Sequence, residues 1–240
     1  MKNHVYLVLI VLTMLLGACG KDDDPATVDE RPDDIIPGPP REELFQQITG
    51  SLPEKTNNAT AHPELFAASA QKHVVLTKES DVYVTFISEG AFYDNTFGWY
   101  SYDSKVEPSA ANLDLHVMFP NVSDRILNRG DILRVGDKPF PAGTVIGFFL
   151  VIKGWENNNV HLDRDKFYTN LQLNPNGQQQ HILFRQKGLG DVVLCFEDLT
   201  VADTSDFDFN DIVFSVSDNI EGREVASFDL KNVVEISGQQ

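Results

Sequence analysis

The residues most able to do chemistry lie close together near the C-terminal end of the chain. The stretch CFEDLTVADTSDFDFNDIVFSV, residues 195–216, holds six carboxylates, and neither lysine nor arginine occurs between Lys187 and Arg223. Carboxylates at this density repel one another unless a cation lies among them. Calcium takes six to eight oxygen ligands from carboxylates, amides and backbone carbonyls. We therefore predict a calcium site with ligands from Glu197, Asp198, Asp203, Asp206, Asp208, Asn210 and Asp211.

The spacing of Asp206, Asp208 and Asn210 matches ligand positions one, three and five of a helix-flanked calcium loop. The match is partial, because such a loop needs glycine where Asp211 stands and glutamate where Ser217 stands. The absence of histidine from the stretch disfavours zinc. Magnesium, and a solvated loop without an ion, remain alternatives.

The phase of the following strand limits where these oxygens can point. In one regular strand, Asp208 and Asn210 would share a face with Ile212, which would bury bare carboxylates at high cost. A loop or bulge at residues 210–211 would instead reset the phase and turn Phe207 and Phe209 inward first. Both versions cluster oxygens at the start of the strand.

The remainder of the chain predicts the scaffold that must position this stretch. Apolar residues alternate in HVVLT, DVYVTFIS, FGWYSY, LDLHVMF, TVIGFFLVIKG, QHILFRQ, DVVLCFED, DIVFSVS and EVASFDLKNVVEI, beginning at residue 73. Turn-forming residues separate these segments. The pattern predicts an all-β, antiparallel, jelly-roll-like β-sandwich, preceded by short helices at REELFQQI and HPELFAASAQ.

The N-terminal segment predicts export and anchoring. Residues 1–18 resemble a lipoprotein signal peptide, and Cys19 follows Leu16-Gly17-Ala18 as in a lipobox, so Cys19 is the expected lipidation site. Residues 19–43 are acidic and proline-rich, which predicts a tether, and their opening CGKDDD resembles the export signal of surface lipoproteins in Bacteroidetes-type bacteria. A single domain over residues 44–240 would then be held at the outer membrane, exposed on the cell surface. With Cys19 lipidated, Cys195 has no disulfide partner.

Three segments together resemble a bacterial family known as domain of unknown function 4114. They are GAFYDNTFGWYSYD at 90–103, GTVIGFFLVIKGW at 143–155 and FEDLTVADTSDFDFNDIVFSV at 196–216. The family's C-terminal motif, an E-D pair followed by D-x-D-F-N-D, is matched by Glu197-Asp198 and by residues 206–211, whereas TVADTS replaces its Gly/Asp-rich loop. The resemblance implies a secreted or surface β-rich module with calcium and without an established catalytic activity.

Charge and composition limit the partners. A formal charge of −17 argues against nucleic acid and anionic lipid. We predict a binding or adhesion module for a glycan or protein, with Trp155 as the exposed contact because it adjoins Gly154 and three asparagines. Two alternatives stay open. One is an architectural subunit of a surface assembly, and the other is a glycoside hydrolase using two of the clustered carboxylates.

Overall fold

The computed structural model describes residues 29–200 and 205–238. Over these residues it has fourteen strands: β1 (Ile36–Pro37), β2 (Val74–Val75), β3 (Tyr83–Glu89), β4 (Asn95–Asp103), β5 (His116–Val122), β6 (Asp131–Arg134), β7 (Thr144–Val151), β8 (Trp155–Glu156), β9 (Asn159–Val160), β10 (Lys166–Tyr168), β11 (His181–Gln186), β12 (Val192–Phe196), β13 (Ile212–Ser217) and β14 (Val234–Ile236). The helices are α1 (Glu42–Ser51) and α2 (Asn58–Ala61), with 3₁₀ turns at Pro63–Phe66, Ala110–Asn112, Leu171–Leu173 and Pro175–Gly177. Within the described ranges no helix has the length and apolar character needed to cross a bilayer.

The strands build two main sheets that pack face to face. The larger has the order β1-β6-β3-β13-β12-β11-β14, and the smaller has the order β10-β7-β4-β5 with β2 also paired to β7. Strands β8 and β9 form a separate hairpin. The β11–β14 pair is parallel, whereas the other pairs are antiparallel. The predicted antiparallel all-β sandwich is confirmed.

Phenylalanine rings fill the space between the two sheets. The Phe97 ring centroid, from the smaller sheet, lies 4.1 Å from that of Phe214 and 6.0 Å from that of Phe196, both in the larger sheet. All three side chains are buried. Burial of each such ring stabilises the fold by about 1.5–3 kcal/mol. This core holds β12 and β13 in place, and these are the strands that flank the acidic stretch.

The larger sheet is also covered on its outer face. Leu44 and Ile48, four residues apart on α1, lie in one apolar cluster with Val193, Val213 and Phe209. Spacing of four residues places side chains on one face of a helix. Two acidic residues in the first turn of α1 suit the positive end of its dipole. Strands β12 and β13 are therefore buried on both faces, which explains why β12 is apolar throughout and why every residue of β13 is buried.

Two local predictions differ from the structure, and some short strands were not predicted. The segment 224–236, predicted as a strand, pairs regularly only at Val234–Ile236, because a turn occupies residues 231–232 and Phe228 before it makes only an isolated bridge to Leu76. The second predicted helix shortens to the 3₁₀ turn Pro63–Phe66, preceded by α2. Strands β6 and β10 are only four and three residues long, too short to show an alternating pattern.

The described end of the predicted tether, residues 29–43, lies against the sandwich. Ile36 pairs with Ile132 of β6, and Arg31 forms an ion pair with the buried Asp131 at 2.7 Å. Arg41 is buried and pairs with Asp191. The acidic and proline-rich composition predicts disorder on average, but a few specific contacts are enough to order such a segment. The signal segment and Cys19 lie outside the described residues.

Candidate metal centre

The acidic stretch connects two neighbouring strands of the larger sheet. Strands β12 and β13 are antiparallel, and Phe196 at the end of β12 pairs with Ile212 at the start of β13. Glu197 and Asp198 directly follow the first strand, and Asp211 directly precedes the second. The strand pairing therefore brings both ends of the stretch to one place on the sheet edge.

The segment from Asp206 to Asp211 is irregular, and strand geometry begins only at Ile212. Phe207 and Phe209 have left-handed backbone conformations, with φ of 61° and 57°. Such conformations are uncommon for residues other than glycine, and they persist where contacts with neighbouring residues fix the backbone. The hold comes from α2, where the Asn58 backbone N–H donates to the Phe207 carbonyl at 2.8 Å and its side-chain amide donates to the Asp208 carbonyl at 2.5 Å.

The two sets of aromatic residues in the stretch enter different apolar clusters. Phe209 is buried beneath α1, with Phe207 half-buried beside it, whereas Ile212 and Phe214 enter the core between the sheets. The predicted phase reset at residues 210–211 would turn all four apolar side chains toward a single interior. Two covered faces, together with the irregular segment before Ile212, accommodate both sets of side chains without placing Asp208 in the core.

Three of the predicted ligands converge. One carboxylate oxygen from each of Glu197, Asp206 and Asp208 lies within 4.8 Å of the other two. Three points at such separations lie within about 2.8 Å of a common centre, against calcium–oxygen distances of about 2.3–2.6 Å. Glu197 and Asp208 are buried, whereas Asp206 is exposed. The three carboxylates thus form a half-open cluster, hereafter the carboxylate triad.

The donors that reach the buried members of the triad within the described residues are neutral. The Phe209 N–H donates to Glu197 at 3.3 Å, and the N–H groups of Lys55 and Asn210 donate to Asp208 at 2.9 and 3.3 Å. The ion pairs of the described chain do not include a triad member. Their negative charge therefore lacks a compensating cation from the described chain.

The pKa values of the two buried triad members are raised. Burial raises the pKa of Glu197 to about 7, the charges of Asp208 and Asp206 add to the rise, and hydrogen bonds from Ser205 and Phe209 oppose it. Burial also raises the pKa of Asp208, with Asp206 and Glu54 contributing repulsion. A carboxyl group with a raised pKa is one whose charge the protein does not stabilise. A bound cation would remove that cost.

Asp198 and Asp211 form a second pair beside the triad. The Asp198 backbone N–H donates to the Asp211 carboxylate at 2.7 Å, and the Asn95 amide donates to the Asp198 carboxylate at 2.8 Å. Burial raises the pKa of Asp211 to about 9, with repulsion from Asp198 and Glu197 adding to it, and burial raises the pKa of Asp198 as well. These two predicted ligands are therefore packed next to the triad and are not part of its converging group.

The other predicted ligands have separate outcomes. Asn210 lines the same cleft, and its side-chain amide donates to the Leu52 carbonyl at 3.4 Å. Asp203 lies outside the described residues. Glu54, which also lines the cleft, escaped the sequence-based search because it is more than 140 positions distant in the chain and belongs to no motif. Asn58 and Asn95, which hold the stretch in place, escaped it for the same reason.

The triad opens into a cleft of about 360 Å³. One wall is the acidic stretch itself. The β3–β4 loop, including Gly90, Phe92 and Tyr93, also lines the cleft, and the Gly90 N–H donates to the Asp211 carbonyl at 2.8 Å. The triad is therefore accessible from solvent through a cleft that has one aromatic edge.

Trp155, the predicted exposed contact, is buried, with 7% of its surface accessible. It pairs with Val160 in the β8–β9 hairpin, and Asn157 and Asn158 have φ of 54° and 59°. Two consecutive positive φ values are the requirement of a tight two-residue hairpin turn, for which asparagine is favoured. The asparagines thus indicate a turn and not an exposed tryptophan. Phe92, by contrast, is 95% exposed.

The comparison with protein families supports part of the sequence-based assignment. Residues 140–219 match the family described as domain of unknown function (DUF4114), which confirms the resemblance over the region from β7 to β13. This region includes the carboxylate triad and excludes the β3–β4 loop. No curated protein and no solved structure matches the chain.

Proposed function

Given the family match over residues 140–219, we propose that this chain is a calcium-binding β-sandwich module of a lipid-anchored surface protein that acts in binding or adhesion. The observation that carries the calcium proposal is the convergence of Glu197, Asp206 and Asp208 within 4.8 Å. An ion held there would bridge the ends of β12 and β13 and stiffen that edge of the sandwich. The increase in thermal stability that calcium produces is therefore the first property to measure.

The donor set favours calcium over the other common cations. All three converging groups are carboxylates, and Asn210 adds an amide oxygen in the same cleft. Hard oxygen donors of this kind suit calcium, whereas structural zinc sites use cysteine and histidine. Cys195 cannot serve zinc at this site, because it is fully buried in the cluster beneath α1 and its burial raises the thiol pKa far above the ordinary value. Magnesium binding is an outcome that the same titration distinguishes.

The surface location rests on the sequence of the N-terminal segment. A lipid on Cys19 would fix the chain to the membrane, and the acidic segment after it would space the sandwich from the lipid surface. Metabolic labelling with a fatty acid, in the wild type and in Cys19→Ser, tests this part of the proposal. Equal labelling of the two proteins would refute it.

One observation favours the hydrolase alternative, namely that the pKa of Glu197 is raised to about 7, as a general acid requires. A glycosidase places its two carboxyl groups about 5–9.5 Å apart, on either side of the scissile bond. In the triad, one oxygen from each of the three carboxyl groups lies within 4.8 Å of the other two, so the groups converge on a common point. Carboxyl groups gathered to share an ion have both short separations and, without the ion, raised pKa values, so we place calcium binding first.

The test combines metal analysis, calorimetry and thermal unfolding. Purified protein is stripped with EDTA and titrated with calcium and with magnesium, and its Tm is measured with and without each ion. We expect calcium to raise the Tm and Asp208→Asn to reduce that rise, while the asparagine oxygen keeps an acceptor for the Lys55 N–H. Absence of heat and of a Tm shift at millimolar calcium would refute the proposal.

A further inference from the structure

The β3–β4 loop carries an aromatic side chain, that of Phe92, which no other part of the described chain covers. Phe92 is 95% exposed, whereas the other exposed large apolar side chains of the described chain range from 37% to 57%. Burying a phenylalanine side chain stabilises by about 1.5–3 kcal/mol, so a ligand that covers the exposed ring would gain binding free energy of that order. Its exposure is the first observation that points to a ligand at this loop.

Contacts hold the loop around Phe92 at both ends. The Gly90 N–H donates to the Asp211 carbonyl, and the Trp155 N–H donates to the Asp94 carbonyl at 3.0 Å. The Asp94 side chain forms an ion pair with Arg125. A ring on a loop fixed in this way loses little conformational freedom when a ligand covers it, which favours binding.

Tyr93 supports Phe92 and is itself supported. The two rings meet edge to face, with centroids 5.9 Å apart and planes at 82°. The Lys153 ammonium lies 4.1 Å from the centre of the Tyr93 ring, a favourable cation–π contact. Phe92 and Tyr93 thus form an ordered two-ring projection, hereafter the aromatic platform.

Two clefts adjoin the aromatic platform, and both have charged and amide side chains in their lining. One is the cleft of about 360 Å³ at the carboxylate triad, and the other is a cleft of about 600 Å³. The second is lined by carboxylates, by the amides of Asn157 and Asn158, and by the cations Arg125, Lys153 and Arg164. A ligand lying across the platform therefore meets hydrogen-bond donors and acceptors in both clefts beside an apolar ring.

This combination fits a carbohydrate. A pyranose ring has a face of C–H groups that packs on an aromatic ring, and a rim of hydroxyls that donate and accept hydrogen bonds. A protein partner anchored at Phe92 would require further apolar surface around the anchor. The clefts supply no second anchor of this kind, since Trp155 is buried and, among the exposed large apolar side chains of the described chain, only Phe92 lines either cleft. An anionic membrane surface is disfavoured by the formal charge of −17.

We infer that the aromatic platform of Phe92 and Tyr93 is a carbohydrate-binding site, with the sugar ring on Phe92 and its hydroxyls in the adjoining clefts. The inference deepens the proposed binding function by naming its ligand class. It rests on that function, but it does not require a bound cation. The platform is thus separable by experiment from the carboxylate triad.

The test is affinity gel electrophoresis of the purified full chain in gels containing soluble polysaccharides: α-glucan, β-glucan, mannan, xylan and pectin. We compare the wild type with Phe92→Ala, with Phe92→Trp and with the control Val106→Ala, which removes an exposed apolar side chain elsewhere. At least one polysaccharide should retard the wild type. Phe92→Ala should weaken that binding at least tenfold, whereas Phe92→Trp and Val106→Ala should preserve it.

Thermal unfolding of each variant separates the two proposals. A wild type that shows a calcium shift but is retarded by none of the polysaccharides overturns the platform and leaves the calcium site standing. A wild type without a calcium shift that still binds polysaccharide through Phe92 refutes the calcium site and supports the platform. Retention of polysaccharide binding by a folded Phe92→Ala overturns the inference. So does self-association that depends on Phe92 in the absence of polysaccharide binding, since the occupant would then be a second copy of the chain.

Discussion

Replacing one triad carboxylate should change stability in opposite directions with and without calcium. Asp206→Asn is the suitable substitution, because Asp206 is exposed and its removal leaves the buried hydrogen bonds of Glu197 and Asp208 in place. In calcium-free buffer the substitution removes repulsion from the other two carboxylates. In calcium it removes a charged ligand. The first effect stabilises the protein and the second destabilises it.

The destabilising effect in calcium is the larger of the two. Unit charges 4.8 Å apart interact by about 0.9 kcal/mol at the dielectric constant of water, so relief at an exposed position amounts to about 1 kcal/mol at pH 8. For a site with a Kd of about 10 μM, 1 mM calcium stabilises the native state by about 2.7 kcal/mol. A roughly 30-fold loss of affinity would leave about 0.9 kcal/mol of this.

Asp206→Asn should therefore be more stable than the wild type in EDTA and less stable in calcium, by about 1 kcal/mol each way. For a domain of this size each change corresponds to about 2–4 °C in Tm. Differential scanning calorimetry at pH 8 measures both arms. Asp137→Asn, an exposed aspartate outside the triad cleft, is the control and should change little in either buffer. A shift of the same sign in EDTA and in calcium would refute shared coordination.

Three further results are expected. Without metal, the free energy of unfolding measured in urea titrations should fall as pH rises from about 4.5 to about 9. Glu197 and Asp211 have pKa values of about 7 and 9 in the native state, so they hold protons that the unfolded chain has released. Calcium should reverse this pH dependence. Gly147→Ala should lower stability by about 1–3 kcal/mol in chemical denaturation, since its Cβ would lie 2.2 Å from the Tyr100 ring; unchanged stability would contradict that packing. Arg41→Met should cost about 3–5 kcal/mol by leaving Asp191 buried without its partner, and an additional Asp191→Asn should recover part of the loss in the same assay.

The scaffold was largely predictable from the chain because its signals are local. Alternation of apolar residues gives the strands, and the spacing of Leu44 and Ile48 gives the apolar face of α1. The absence of lysine and arginine around the acidic stretch is likewise a property of the sequence alone. Short strands such as β10 escaped prediction because three residues do not establish a period.

The membership of the site depended on contacts between distant parts of the chain. Glu197 meets Asp206 and Asp208 because β12 and β13 pair in a definite register, and no local pattern specifies that register. The same pairing separates Asp211 and Asp198 from the triad as a second pair.

The exposure of the aromatic side chains also depends on contacts between distant parts of the chain. Trp155 is buried in a hairpin that is hydrogen-bonded to Asp94 of the β3–β4 loop, whereas Phe92 in that same loop remains in water. Residue types and local periods thus specify which groups can bind and which segments become strands. Strand register and the packing of loops place those groups side by side, since both depend on the free energy of the whole fold.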